Sequence, residues 1–288
     1  MSVQVETFSP ARRSMPLSIR LALAFLASMA VIALIAPLIA PYDFAQQNLL
    51  RRLRPPVFWG GDWAYPLGTD NLGRDILSRL IYGVRTSIAV AMAGTLIGAV
   101  FGSLLGYLAT RRRGLVEEII MMMVDVQAAL PAFFIAIACI ALMGSNLLIF
   151  IVLVSLEGWE RYTRLVRGLV LSQQASGYIL AVKALGASAA RVDIRHVLPN
   201  IAASLVVQMS ITFPWVILLE TSLSFLGLGI QPPGTSLGQM LGSGRNYLLQ
   251  AWWIAVLPGM TIFLTTMAMS LVGDWLRDRL DPTLEEPS

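Results

Sequence analysis

Four carboxylates, Asp125, Glu157, Glu160 and Glu220, interrupt otherwise apolar runs of this chain. Ionisable groups at membrane depth are costly to keep, so each is a candidate for function. Asp125 and Glu220 fit either of two roles: lining a path for a polar solute, or pairing with an arginine. Glu220 follows Pro214 and precedes Gly227 and Gly229, a pattern expected of a kinked, cavity-lining helix. Other chemistry is poorly provided for. One His (His196) and one Cys (Cys139) leave no set with metal-ligand spacing. No G-x-x-x-x-G-K-[ST] run cradles a nucleotide phosphate, and no G-x-S-x-G elbow presents a nucleophile. The reading is therefore not of an enzyme.

The elements that would position these carboxylates are membrane helices. Apolar residues make up 56% and charged residues 13% of the chain, and the mean hydropathy is +0.70. Six spans are expected: Ile19–Ala40, Ser87–Ala109, Val116–Met143, Leu147–Arg164, Ile201–Gly227 and Trp252–Gly273. The first is preceded by Arg12, Arg13 and Arg20 and reads as an uncleaved anchor. In the second, Gly94, Gly98, Gly102 and Gly106 share one face, as in a tightly packed helix pair. The fold class is thus an all-α polytopic membrane protein. It divides into residues 1–18, a first helix 19–40, an outer loop 41–86, a five-helix core 87–273 and a tail 274–288.

Net charge is +4, and the basic residues lie between the spans, as a topology signal rather than a nucleic-acid patch. Placing both termini inside puts fourteen of the 21 Lys and Arg residues on the inner side. Six of the outer seven fall in the one long loop 41–86, and long loops weigh little in this rule. Within that loop, Ile76, Leu77, Leu80 and Ile81 form an apolar stripe, read as a separate amphipathic helix on the membrane surface.

The longest polar segment between spans in the C-terminal half is Tyr178–Asn200, YILAVKALGASAARVDIRHVLPN, within the inner loop 168–200. Gly186 reads as a hinge between short helices, and Leu198-Pro199 as a stop. Ile179, Val182 and Leu185 would supply burial against a soluble partner; Lys183 and Arg191 would steer it.

The chain resembles the second permease of the dipeptide/oligopeptide/nickel class of ABC importers. The resemblance rests on LGTDNLGRDILSRLIYGVRTS (Leu67–Ser87), DVQAALPAFFIAIA (Asp125–Ala138), LSFLGLGIQPP (Leu223–Pro233) and GDWLRDRLDP (Gly273–Pro282). The first block carries Asp70, Gly73, Arg74, Asp75, Arg79 and Arg85 as a periplasmic signature. Tyr178–Asn200 is similar to the family's EAA loop. Leu180, Ala181 and Val182 stand where the motif has E-A-A, and His196 where it has Ile, while Gly186, Leu198 and Pro199 are in register. The resemblance implies a type I importer permease fold in a bacterial inner membrane. It implies an ATPase-coupling loop formed by Tyr178, Ile179, Ala181, Val182, Lys183, Ala184, Leu185, Gly186, Ala187, Ser188, Arg191, Arg195, His196, Leu198 and Pro199. It also implies a related permease as heterodimer partner, two cytoplasmic ATPases carrying ATP and Mg, and a periplasmic solute-binding protein. No cofactor is expected on this chain. Two rival readings are an ion-coupled secondary transporter, which would show inverted repeats, and a membrane enzyme, which would need a polar cluster.

Overall fold

The computed structural model describes residues 15–144 and 146–280. Arg12 and Arg13 of the N-terminal basic segment, and Asp281 and Pro282 of the last motif, lie outside them. The regular structure is helical: α1 (Leu17–Ile39), α2 (Ile76–Arg111), α3 (Leu115–Ala129), α4 (Ala132–Met143), α5 (Leu147–Ser155), α6 (Trp159–Gln174), α7 (Gly177–Ala184), α8 (Ala189–Val192), α9 (Leu198–Phe225), α10 (Leu237–Gly244) and α11 (Trp253–Leu280). Among the described residues, four helical stretches are long and apolar enough to cross a bilayer, α1, α2, α8 continued into α9, and α11, and the bent pair α3 and α4 makes a fifth if counted as one span.

The third and fourth expected spans are broken. Helices α3 and α4 meet at 94°. Leu130 is extended there, because a residue before proline is driven out of the helical region. Helices α5 and α6 part at Gly158, whose φ is +88°. Helix α5 has nine residues, a rise of about 14 Å, roughly half the ~30 Å apolar thickness of a bilayer. The expected Leu147–Arg164 span therefore divides near mid-membrane. Helix α10, LGQMLGSG, was not foreseen, because its glycines hide any helical periodicity.

The glycine face of α2 presses onto α6. A Cβ on Gly102 would lie 2.3 Å from the Trp159 carbonyl oxygen, and one on Gly106 2.6 Å from that of Thr163. The Thr163 hydroxyl donates to the Gly102 carbonyl at 3.0 Å. This is close static packing, and it fixes where the α5–α6 break sits. The main core joins Val90, Val154, Phe213, Val216, Leu223, Leu237 and Ile262 from α2, α5, α9, α10 and α11. Helix α1 reaches that core through Ala33, with Met29 and Ile32 packed against it, and otherwise buries only Ile19, Ala22 and Ala36.

Two readings of local structure are corrected. The stripe Ile76–Ile81 is the first turns of α2 and faces inward. Ile76 is fully buried with Met240, Trp253 and Ile254, not laid on a membrane surface. Leu198-Pro199 opens α9, since proline in a first turn loses no helical hydrogen bond. The helical run Ala189–Phe225 therefore continues through it and is not stopped. Residues 41–75 cap the N-terminal end of α2, and residues 189–193 touch its C-terminal end. With 36 residues in α2, these two regions stand about 54 Å apart along its axis.

Candidate functional site: a capped end, a hinged end and a broken middle

The cap is organised by Asp70, which is fully buried. Its Oδ2 accepts from Arg74 Nε and Arg79 Nη1, both at 2.6 Å. Its Oδ1 accepts the backbone N–H groups of Leu72 (2.8 Å) and Arg74 (2.9 Å). Arg79 continues to Gln239 of α10 at 2.7 Å. Asp75 caps α2, with Oδ2 accepting from both the N–H and the hydroxyl of Ser78 at 2.7 Å. Burial pushes the Asp75 carboxyl above its ordinary range, while the Ser78 bonds pull the other way. Gly73 sits at φ +71°, where a Cβ would strike the Asn48 carbonyl. Trp253 ties the cap to α11 through Thr69, Nε1 to the carbonyl at 3.2 Å. The structure thus brings together Asp70, Gly73, Arg74, Asp75 and Arg79. Arg85 stands apart and exposed.

At the other end, α7 and α8 meet at Gly186, whose φ is +85°. Ile179 turns inward and is fully buried with Val166, Val170, Val192, Val197 and Ile201. Val182 packs beside them. Ile179 is therefore not free to bury against a partner, which corrects the sequence reading for that residue, while Val182 is half-buried. Leu185 does face out, at 88% exposure, and is joined by Leu180 and Ile194. Those two were missed because a period-based reading cannot tell which face of a short helix the rest of the chain covers. Lys183, Arg191 and Arg195 of the same segment are exposed as well, and His196 is half-buried against Tyr178. Buried Asp193 anchors the segment to α2 by pairing with Arg111 and accepting from Tyr107.

The carboxylates between these ends differ from one another. Asp125 pairs with Arg164 at 2.8 Å on an exposed face. Glu220 is fully buried and accepts from Ser87 of α2 (3.2 Å) and Ser224 of α9 (2.8 Å). It is held by hydroxyls and, among the described residues, has no cation within ion-pair distance. Helix α9 runs unbroken through Pro214. Glu157 and Glu160 lie at the α5–α6 break.

Several membrane-spanning helices, a cross-tied cap and a hinged loop at the far end are the marks of a membrane transport component. Residues 94–286 match the family described as binding-protein-dependent transport system inner membrane component, and residues 20–56 match the N-terminal TM domain of oligopeptide transport permease C. The chain belongs to this permease family. It is 40% identical to the di/tripeptide transport system permease protein DppC of Pseudomonas aeruginosa (strain UCBPP-PA14), over 91% of this chain and 87% of that one. It is 39% identical to the glutathione transport system permease protein GsiD of Pectobacterium atrosepticum, over 91% of this chain and 85% of that one. Its fold is similar to a chain of the inward-facing MetNI methionine ABC transporter. The TM-score is 0.57 at 19% identity, over 70% of this chain and 96% of that one. The permease is therefore a multi-pass subunit of a binding-protein-dependent ABC importer and not an enzyme; ATP is hydrolysed on separate subunits.

Proposed function

We propose that this permease forms half of the translocation path of a peptide importer. A second, related permease supplies the other half. Of the importer's two cytoplasmic ATPases, one docks on residues 177–200 of this chain, and a periplasmic binding protein delivers substrate to the side bearing the cap. Both termini then lie in the cytoplasm, in a bacterial inner membrane. ATP and Mg act on the ATPases, and no cofactor is assigned to this chain. Peptide as substrate is supported by 40% identity across nearly the whole chain to a di/tripeptide permease.

The observation that carries the docking assignment is the surface at Gly186. Leu180, Leu185 and Ile194 are exposed, as are Lys183, Arg191 and Arg195 of the same segment. Apolar groups and cations on one segment fit a cleft with an apolar floor and an acidic rim, and the cations speed encounter. The side assignment is supported by the excess of Arg and Lys on that side of the spans. The αL hinge at Gly186 lets the docked α7 turn against α8.

Leu185→Asp places a charge in the middle of this patch while touching nothing inside the permease. Co-purification of the ATPases with the tagged permease should fall at least about tenfold, as expected for an interface anchor worth over 1.4 kcal/mol. The melting midpoint of the permease alone should stay unchanged. Undiminished ATPase recovery would rule out this surface as the dock.

A further inference from the structure

The α5–α6 break opens onto a cavity of about 470 Å³, within the range of small-molecule sites. Its walls come from both broken spans and from α9: Gln127, Pro131 and Phe133; Glu157, Glu160 and Arg161; Trp215 and Ser222. Non-helical backbone at membrane depth is tolerated where it lines such a cavity. Glu160 is 7% exposed, and its Oε2 has no hydrogen-bond partner. Its other oxygen lies 3.4 Å from Arg161 Nε. Glu157 Oε1 accepts only the Trp215 indole N–H, at 3.3 Å. Arg161 is stacked over the Trp215 ring at 5.3 Å. Arg161 thus pairs with Glu160, Glu157 stands beside them on the Trp215 indole, and one buried oxygen of Glu160 is left over. Glu160 sits in the first turn of α6, whose dipole favours negative charge there, and Glu157 lies just before its N-cap Gly158.

We infer that Glu157 and Glu160 form a mid-membrane site for a primary ammonium group, here the free amino end of a peptide in transit. The peptide part rests on the proposed substrate class; the ammonium part rests on the cavity. Rotation about the last side-chain bond, which is soft for a carboxylate, brings the unpartnered oxygen of Glu160 to the ligand. Arg161 keeps the empty site tolerable, and Trp215 supplies an aromatic face beside the ammonium.

The test uses the complete importer in nanodiscs without its binding protein. Trp215 fluorescence is isolated by subtracting a Trp215→Phe variant. Dialanine should change that signal, and N-acetyl-dialanine should require at least about tenfold more, since a charge-assisted bond is worth 1.4 kcal/mol or more. Glu160→Gln should weaken dialanine by the same factor. Equal titration by the two peptides, no Trp215 response, or wild-type behaviour of Glu160→Gln would overturn the site. So would a folded Glu160→Gln permease that loses only its partner permease, for then the oxygen answers a cation on that subunit. If Glu160→Gln does not fold, the comparison of the two peptides on the wild type decides. ATP-driven uptake of dialanine by wild-type proteoliposomes separates the two readings. Uptake without an ammonium-dependent signal sinks this site alone. The signal without uptake sinks the proposed substrate class alone.

Discussion

The two ends of α2 are each tied by a buried carboxylate but differ in what surrounds it. At the cap, one buried carboxylate receives two guanidiniums and two backbone N–H groups, and the network reaches α10 through Gln239. At the far end, a single buried carboxylate, Asp193, pairs with Arg111 and accepts from Tyr107 of α2, while residues 177–200 otherwise lie on α6 and α9 through Val166, Val170, Ile179, Val192 and Ile201. Directional bonds among buried charges admit one geometry, whereas an apolar contact tolerates small slides. The difference separates a fixed reference from a movable input. The cap holds α2, α10 and α11 in register, and the hinged end retains the freedom to answer a motor.

The sharpest way to break this contrast is Asp70→Ala. It strands Arg74 and Arg79, which are 7% and 1% exposed, without their carboxylate. Removing one partner of a buried ion network costs about 3–5 kcal/mol. The permease should lose its monodisperse peak in detergent or melt at a much lower temperature. Converting the cluster together, with Asp70→Leu, Arg74→Met and Arg79→Met, should be milder than Asp70→Ala alone. An Asp70→Ala chain that melts like the wild type would show that the cap is not the fixed end.

The hinge should respond differently. No atom lies within 4 Å of a Cβ on Gly186, so strain and not collision governs substitution there. Gly186→Val puts a β-branched residue at φ +85°, at a cost of order 1–3 kcal/mol that the segment relieves by leaving that conformation. Membrane insertion and assembly should survive, while ATP-driven uptake falls several-fold with ATP hydrolysis retained. Full uptake would mean that this joint does not transmit motion.

Legibility in the sequence followed the same division. Spans α2, α9 and α11 were readable because long apolar runs have no alternative in lipid. The signature Asp70–Arg79 was readable as a motif, but not as a closed charge cluster. Its tie to Gln239 joins residues 160 positions apart, and no local pattern carries that. The break at Gly158 was obscured because Leu147–Ser155 and the residues after it read as one run. Only the press of Gly102 and Gly106 on α6 reveals where the chain must turn. The inward face of Ile179 was hidden for a related reason: α7 is two turns long, and what covers it comes from α6 and α9.

The smallest expected effect refines the cap itself. Asp75 serves as the N-cap of α2, yet its Oδ1 is buried without a partner. Burial raises its pKa above the unfolded value of 3.8, against the Ser78 bonds. The folded chain therefore binds this proton more tightly than the unfolded chain does. Between the two pKa values the folded state carries more protons, so stability falls as pH rises through that window. The contribution of Asp75 is fully present below the unfolded pKa and is lost above the folded one. Asp75→Asn cannot titrate. The difference in melting midpoint, wild type minus Asp75→Asn, should therefore decrease as pH is raised from 3.8 upward and level off once Asp75 is ionised in both states. Titrations elsewhere cancel in this difference. A difference that grows with pH would mean that the Ser78 bonds outweigh burial, and that the cap gains from the charge it holds.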